Sequence, residues 1–458
     1  MVNFDEADAD RTRRTAPDRQ TPPHTARTEG GIRETAMPVA QVRIADEQAA
    51  ELIRGFNLAR LSPAFLNDPY PTYTALREHA PIHRLPDGSF FLTRYDDVAQ
   101  VYRDTATWSS DKKIDFKPAF ADSLLYEHHT TSLVFNDPPV HTRVRKLLAP
   151  VFTPRALKAI EPRIEALVDR LLDQAAQSGV IDLIDDFAAA IPMQLIGDLL
   201  GVPQSERGPL RKWSLTILGA LEPVLKREQF DAGVNSVAEF KDYLTKLVTE
   251  RQQSPGTDGR EILSILINAS EFAGGSAARG SERLSELELL HNCIFLLNAG
   301  HETTTNLIGN SVDLLLRYPE ARAELGQHPD LIDTAIEEFL RMESPNQLGN
   351  RRAVRDTALG DVAIPAGSYV HLCIAAANRD PARLHDPDRL DIRRSPNRNL
   401  AFGLGIHACA GMSLARMEAR IAIGKLVQRF PTIERVGDFV RGGRARFRGF
   451  LHFPVAVR

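Results

Sequence analysis

The stretch "AFGLGIHACAG", Ala401 to Gly411, decides how the rest of the chain is read. It sets Cys409, one of three cysteines, in a segment of glycine and alanine with almost no side-chain bulk. Such segments let another group approach the backbone closely. The residues that follow, "AGMSLARMEARIAIGKLVQRF", carry Leu414, Met417, Ile421 and Leu426 at helical spacing. Cys409 therefore falls at or just before a helix N-terminus, where the dipole and free N–H groups stabilise a thiolate. A thiolate serves as a nucleophile, a zinc ligand or an axial ligand of haem. Structural zinc takes four ligands, and His407 with Cys409 supplies only two. A nucleophile needs a base, and His407 is too close in sequence to be an obvious one. A buried inert cysteine is the usual reading of a lone Cys, but it leaves Phe402, Gly405 and Gly411 unexplained.

The bulk numbers narrow the class. The 458 residues are 43% hydrophobic and 25% charged, ordinary for a globular chain. A net charge of −4 favours neither nucleic acid nor an anionic membrane. Cys293, Cys373 and Cys409 are too few for a disulfide framework and fit a reducing, cytoplasmic setting. No window reaches the ~18 apolar residues that span a bilayer. Residues 1 to 38 are rich in Arg, Asp, Thr and Pro and read as disordered. Asp5, Glu6, Asp8 and Asp10 argue against a transit peptide, and Met37 is an alternative start. The expected division is a tail over 1–56 and one catalytic domain over 57–458.

Helical patterns dominate after the tail. "YPTYTALREHA" (Tyr70 to Ala80), Arg155 to Leu200 with a break near Gly179, and Arg211 to about Arg251 read as helical. "FFLTRY", "TALGDVAIPAGSYVHLCI" and "ARFRGFLHFPVAV" read as short strands, and "QQSPGTDG" and "FAGGSAARGS" as loops. The fold class is mainly α with a minor β part.

The stretch from Ser285 to Pro319 predicts one long helix. Ser285 and Glu288 have capping-box spacing, and Pro319 stops it. About 32 residues at ~1.5 Å each give roughly 48 Å, enough to cross a domain. Its centre, Ala299-Gly300-His301-Glu302-Thr303-Thr304-Thr305, is poor helix material. Either it marks a packing kink, or Ala299 and Gly300 open a groove beside an acid and an alcohol that move protons. Further on, Glu338 and Arg341 stand at i, i+3 beside an apolar stripe, with Glu337 a second candidate partner for Arg341.

Taken together these motifs resemble the cytochrome P450 family. Phe402-x-x-Gly405-x-His407-x-Cys409-x-Gly411 is similar to its haem-binding loop, Ala299-Gly300-x-Glu302-Thr303-Thr304 to its oxygen-activation motif, and Glu338-x-x-Arg341 to its structural ion pair. "DPPVHTRVRKLLAPVFTP" (Asp137 to Pro154) resembles the family's helix over the haem edge, and "HDPDRLDIRR" its meander, with Leu390 in place of the usual Phe. The resemblance runs from about residue 57 to the C-terminus. It implies a single triangular-prism-like domain holding haem b, with Cys409 on the iron. His141, Arg145, Arg351 (or Arg352) and His407 would meet the propionates. Thr303 and Glu302 are the implied catalytic pair.

The implied reaction inserts one atom of O2 into an apolar small organic substrate, by hydroxylation or epoxidation. No flavin or iron–sulfur domain follows the loop, so ferredoxin and ferredoxin reductase are the expected electron donors, with Arg393, Arg394, Arg398 and Arg416 a candidate docking patch. The protein is expected to be a monomer. The pocket roof is expected from Lys113–His129 and Trp213–Pro223, with Phe116, Phe120, Leu124, Leu296 and Leu348 as apolar contacts. A peroxide-driven peroxygenase and a non-catalytic haem-based sensor are the alternatives.

Overall fold

A computed structural model describes residues 46–253, 262–270 and 283–458. The expected disordered stretch at 1–38, the loop at 272–281 and most of the loop at 252–259 lie outside the described residues. The long helix forms as its caps dictate, over Glu286–Arg317. The Ser285 side chain accepts from Glu288 N while the Glu288 carboxylate accepts from Ser285 N, which satisfies two of the free donors at its start. This central helix is buried on nearly every side, and its buried residues include polar ones such as His291, Asn292, Asn298, Asn310 and Asp313. Its first half packs with helices Leu210–Gly219 and Arg227–Gln253. Its second half packs with Ala190–Leu199 and Met412–Arg429 on one side and Ile332–Met342 on another.

The β part is small and collected at the edges. A five-stranded sheet runs Ile82–Arg84, Phe90–Leu92, Tyr369–Cys373, Leu348–Ala353, Trp108–Ser109. Phe90–Leu92 lies parallel to Tyr369–Cys373, and the other pairs are antiparallel. Early and late sequence thus meet in one sheet. Val180–Asp182, Pro454–Val457 and Ile433–Arg435 make a three-stranded antiparallel sheet.

One expectation needs correction, and one expected helical block is divided. The folded unit begins before residue 57: Asp46–Gly55 is a helix, buries Ala49 and packs on Tyr70–His79. The block from Arg211 to Arg251 is two helices, Leu210–Gly219 and Arg227–Gln253. No helix among the described residues is long and apolar enough to cross a membrane.

Candidate active site

The cysteine loop is held by its glycines. Gly405 has φ +70°, and a Cβ there would sit 2.5 Å from the Tyr102 carbonyl oxygen. No other residue fits that position without moving backbone. Gly405–His407 makes one 3-10 turn, and Cys409 N–H then donates to Phe402 O at 2.9 Å. The helix Met412–Arg429 starts three residues after Cys409. Burial pushes the thiol up, while the Gly411 N–H, Arg145 and Arg416 pull it down less strongly. A metal ion replaces that proton outright. Gly411 has no comparable steric demand, since a Cβ there would be 3.6 Å from Phe152.

Beside the loop lies a concentration of buried basic groups. His141 and Arg145 stand at i, i+4 on the helix Val140–Leu148, so they share a face. The His141 ring lies 4.1 Å from the His407 ring, centre to centre. Arg351 is buried, donates to Asn350 O at 2.7 Å and lies 5.0 Å over the Tyr102 ring. Both nitrogens of His141 and Nε2 of His407 are buried without a partner. Burial together with Arg351, His141, Arg145 and Lys112 pushes His407 down to about 2. So much buried positive character, with unpaired ring nitrogens, fits a bound dianion. These residues therefore suit a flat group carrying two carboxylates and a metal that Cys409 can take.

The structure separates the two arginines of the late strand. Arg351 joins the histidines, whereas Arg352 turns the other way, to Asp115 and to Gly367 O at 2.6 Å. Lys112 was not legible in the sequence, yet it is 1% exposed. It reaches Asp115 at 3.3 Å, and burial brings it down to about 8. Among the described residues no group of three or more His, Cys, Asp and Glu could hold a metal ion, so His407 and Cys409 have no further ligands with which to complete a zinc site.

The central helix presents one partly open face. From Leu289 to Leu315 every residue is buried except Phe295, Ala299, Gly300 and Thr303. At 100° per residue these four lie on one side. The helix does not break there: Thr303 Oγ1 donates to Ala299 O at 2.6 Å and Thr305 Oγ1 to His301 O at 2.9 Å. Gly300 has a packing reason as well, because a Cβ there would meet Ile196 at 3.2 Å.

Glu302 leaves that face on another side. Its Oε1 accepts from Arg444 Nη1 at 2.5 Å, while Oε2 is buried without a partner. Burial raises the carboxyl to about 7, against the pull of Arg444. The expected acid–alcohol pair is thus adjacent in sequence with each hydroxyl and carboxyl engaged separately. Arg444, 142 residues away, carried no signal in the sequence.

The ion pair is far more than a surface pair. Glu338 and Arg341 are both fully buried and meet through two 2.7 Å contacts. Arg341 also donates to the carbonyls of Asn378, Pro387 and Arg389, and Glu338 accepts from Asp391 N, Arg394 and Asn397. Glu337 belongs to Arg416, not to Arg341. The pair therefore clamps the segment 378–397, which leads into the cysteine loop. Leu390 is buried in the cluster around Phe339.

Of the expected docking patch, Arg393 is paired with Glu324, Arg394 with Glu338 and Arg416 with Glu337, and Arg393 and Arg398 are exposed. Of the expected pocket contacts, Phe120, Leu296 and Leu348 are core, and Phe116 and Leu124 are half-buried. Phe116 and Phe120 pack with His129 and Phe135 in one aromatic cluster.

Comparison with known proteins agrees with this geometry. The family model described as Cytochrome P450 matches residues 77–436. Cytochrome P450 107B1 of Saccharopolyspora erythraea is 38% identical over 87% of this chain and 97% of its own length. Vitamin D(3) 25-hydroxylase of Pseudonocardia autotrophica is 39% identical over 86% of this chain and 95% of its own. Among solved structures, P450BioI in complex with a hexadec-9Z-enoic acid ligated acyl carrier protein superposes with a TM-score of 0.80 at 34% identity, covering 86% of this chain and 100% of that one.

Proposed function

The chain belongs to the cytochrome P450 family and is a haem-dependent monooxygenase, and from that premise we propose that it inserts one atom of O2 into an apolar small organic substrate, by hydroxylation or epoxidation, using electrons from a separate ferredoxin and its reductase. Haem on a cysteine thiolate supplies the O–O cleavage chemistry when bound. Cys409 would take the iron. His141, Arg145, Arg351 and His407, with Lys112 behind them, would meet the two propionates. Phe402, Gly405 and Gly411 shape the loop on one side, and Ala299, Gly300 and Thr303 border the space on the other.

The protein's own part is positioning and proton handling. Thr303 spends its hydroxyl hydrogen on Ala299 O, so it presents lone pairs to the open face and orients water there. Glu302, held by Arg444, titrates close to neutral and so can both hold and release a proton at working pH. Half-buried Phe116, Leu124 and Phe295 favour an apolar substrate. Relatives of comparable identity include a vitamin D(3) 25-hydroxylase and a 6-deoxyerythronolide B hydroxylase.

The observation that carries the reading is the thiol of Cys409 beside the buried, partly unpaired set of His141, Arg351 and His407. The test has two parts. The reduced CO complex should show the strongly red-shifted Soret band of thiolate ligation, and Cys409→Ser should lose it. A compound that shifts the ferric spectrum from low to high spin should then acquire label from isotopic O2 when ferredoxin and reductase are supplied. Label missing from the product, or full-rate turnover on peroxide alone, would overturn the reading.

A further inference from the structure

The turn between the strands Val440–Arg441 and Phe450–His452 carries a guanidinium that no carboxylate of the described residues neutralises. Arg446 is half-buried, and it donates from Nε to Leu221 O and from Nη1 to Leu348 O, each at 2.9 Å. Among the described residues its Nη2 has no carbonyl or carboxylate partner. The acids that share its surroundings are engaged elsewhere. Glu222 accepts from Ala445 N at 2.8 Å and Arg446 N at 3.1 Å, and Asp87 from Ser89 N at 3.0 Å and Ser89 Oγ at 2.6 Å. Asp115 holds Lys112 at 3.3 Å and also takes Arg352. A cation kept half-buried without a counter-charge favours an incoming anion.

Arg446 stands where the expected pocket walls converge. Leu221 belongs to the expected roof, Leu348 is an expected pocket contact, and Arg444, two residues earlier, holds Glu302 of the central helix. The turn is fixed in place, since Arg446 O accepts from Gln347 N at 2.7 Å. Tyr369 and His371 alternate onto one face of the five-stranded sheet, opposite Arg352 and Asn350, with their rings 5.0 Å apart. Lys112 Nζ lies 4.8 Å over the Tyr369 ring. The charge of Arg446 acts on Tyr369, His371 and Lys112, and on His129 in the aromatic cluster with Phe116. Burial raises Tyr369 to about 12 and lowers His371 to about 3, so both are neutral hydrogen donors near neutral pH. His371 Nδ1 is buried without a partner.

We propose that Arg446, with Tyr369 and His371 as neutral donors, forms a carboxylate-recognition site in the substrate pocket, so that the substrate is an apolar body bearing one carboxylate. The proposal rests on the function above and names the class of substrate for it. A planar guanidinium matches the geometry of a carboxylate. The carboxylate accepts from Arg446 Nη2 and from the Tyr369 hydroxyl. Lys112 stays with Asp115 and is not part of the set. Anchoring one end of the substrate limits which part of its body can face Ala299, Gly300 and Thr303.

The test titrates the ferric holoprotein with matched pairs, each a carboxylic acid and its methyl ester, built on straight-chain, polycyclic and aromatic bodies. The readout is the low-spin to high-spin shift. In at least one pair the acid should bind about tenfold more tightly than the ester, the low end for a hydrogen bond to a charged group. Arg446→Leu should abolish that preference by weakening the acid and leaving the ester. Arg446→Lys keeps the cation but loses the fork on Leu221 and Leu348, and should retain part of the preference. An unchanged CO-complex band shows that the haem site is intact in a variant, and the wild-type comparison of acid with ester needs no variant to fold. A panel in which no acid is preferred overturns the proposal, as does a preference that survives in Arg446→Leu. Equal weakening of acid and ester in both variants overturns it too, because Arg446 is then only a clasp between Leu221 and Leu348. Acid preference in a protein that never labels product from O2 overturns the proposed function and leaves the site standing. Labelled product from a neutral compound, with no acid preferred, does the reverse.

Discussion

Replacing Arg341 by Leu should remove a large share of the stability of the domain and loosen the segment that leads into the cysteine loop. Arg341 is fully buried and makes two 2.7 Å contacts to Glu338, and its remaining N–H groups serve the carbonyls of Asn378, Pro387 and Arg389 at 3.1, 2.5 and 3.1 Å. Removing one partner of a buried pair costs about 3–5 kcal/mol, because the other charge stays buried. Arg394 keeps part of the Glu338 charge compensated, which lowers that figure. The three orphaned carbonyls raise it, at about 1 kcal/mol or more each. A net loss of roughly 4 kcal/mol is a large share of the ~5–15 kcal/mol that holds a domain together. Urea unfolding followed by circular dichroism gives the loss directly, and the CO-complex band reports whether the cysteine loop survives. Arg416→Ala is the internal control: its contact with Glu337 is 38% exposed on the arginine side, so it should cost under about 1 kcal/mol. A loss below about 1 kcal/mol for Arg341→Leu, equal to the control, would refute the claim that this pair clamps residues 378–397.

Gly405→Ala forces an alanine to φ +70° and into the Tyr102 carbonyl, whereas Gly403→Ala has its nearest neighbour at 3.9 Å. The first should lower the melting temperature and haem retention well beyond the second, whose cost is about 1–3 kcal/mol of backbone strain; equal losses would remove the Tyr102 contact from the account. Arg351→Leu should weaken haem retention by about tenfold or more, the worth of a lost charge-assisted contact, while Arg352→Leu, facing Asp115 and Gly367, should leave it unchanged; apomyoglobin transfer measures both. Glu418 is buried with Oε1 unpaired, and burial alone raises it to about 8. Its unfolded value is near 4.3, so between those values the folded state binds the extra proton and stability falls as pH rises. Glu418→Gln should flatten the loss of unfolding free energy between about pH 5 and 8; a parallel curve would show that this carboxyl does not carry the dependence.

How much of this was legible in the sequence follows from the range of the interactions. The central helix was readable to its caps because Ser285, Glu288 and Pro319 act within one turn of the ends they set. The cysteine loop was readable because the demand for Gly405 shows as composition. The Glu338–Arg341 spacing was also readable, but its burial was not. The carbonyls and amide that enclose it come from 37 to 53 residues downstream, and nothing at i, i+3 announces them. Lys112 and Tyr102 were missed for the same reason, since each reaches Arg351 or Gly405 only once the five-stranded sheet joins early and late strands. The start of the folded unit was misplaced because Asp46–Gly55 is a weak helix by itself and is fixed by its packing on Tyr70–His79. The same division runs through the chemistry. Sequence named Glu302 as an acid, but an acid on an exposed helix would be ionised at neutral pH and would have no proton to give. What moves it to about 7 is burial opposed by Arg444 from near the end of the chain. The motif therefore names the group proposed to handle the proton, and the tertiary fold sets the pH range in which that group holds or releases one.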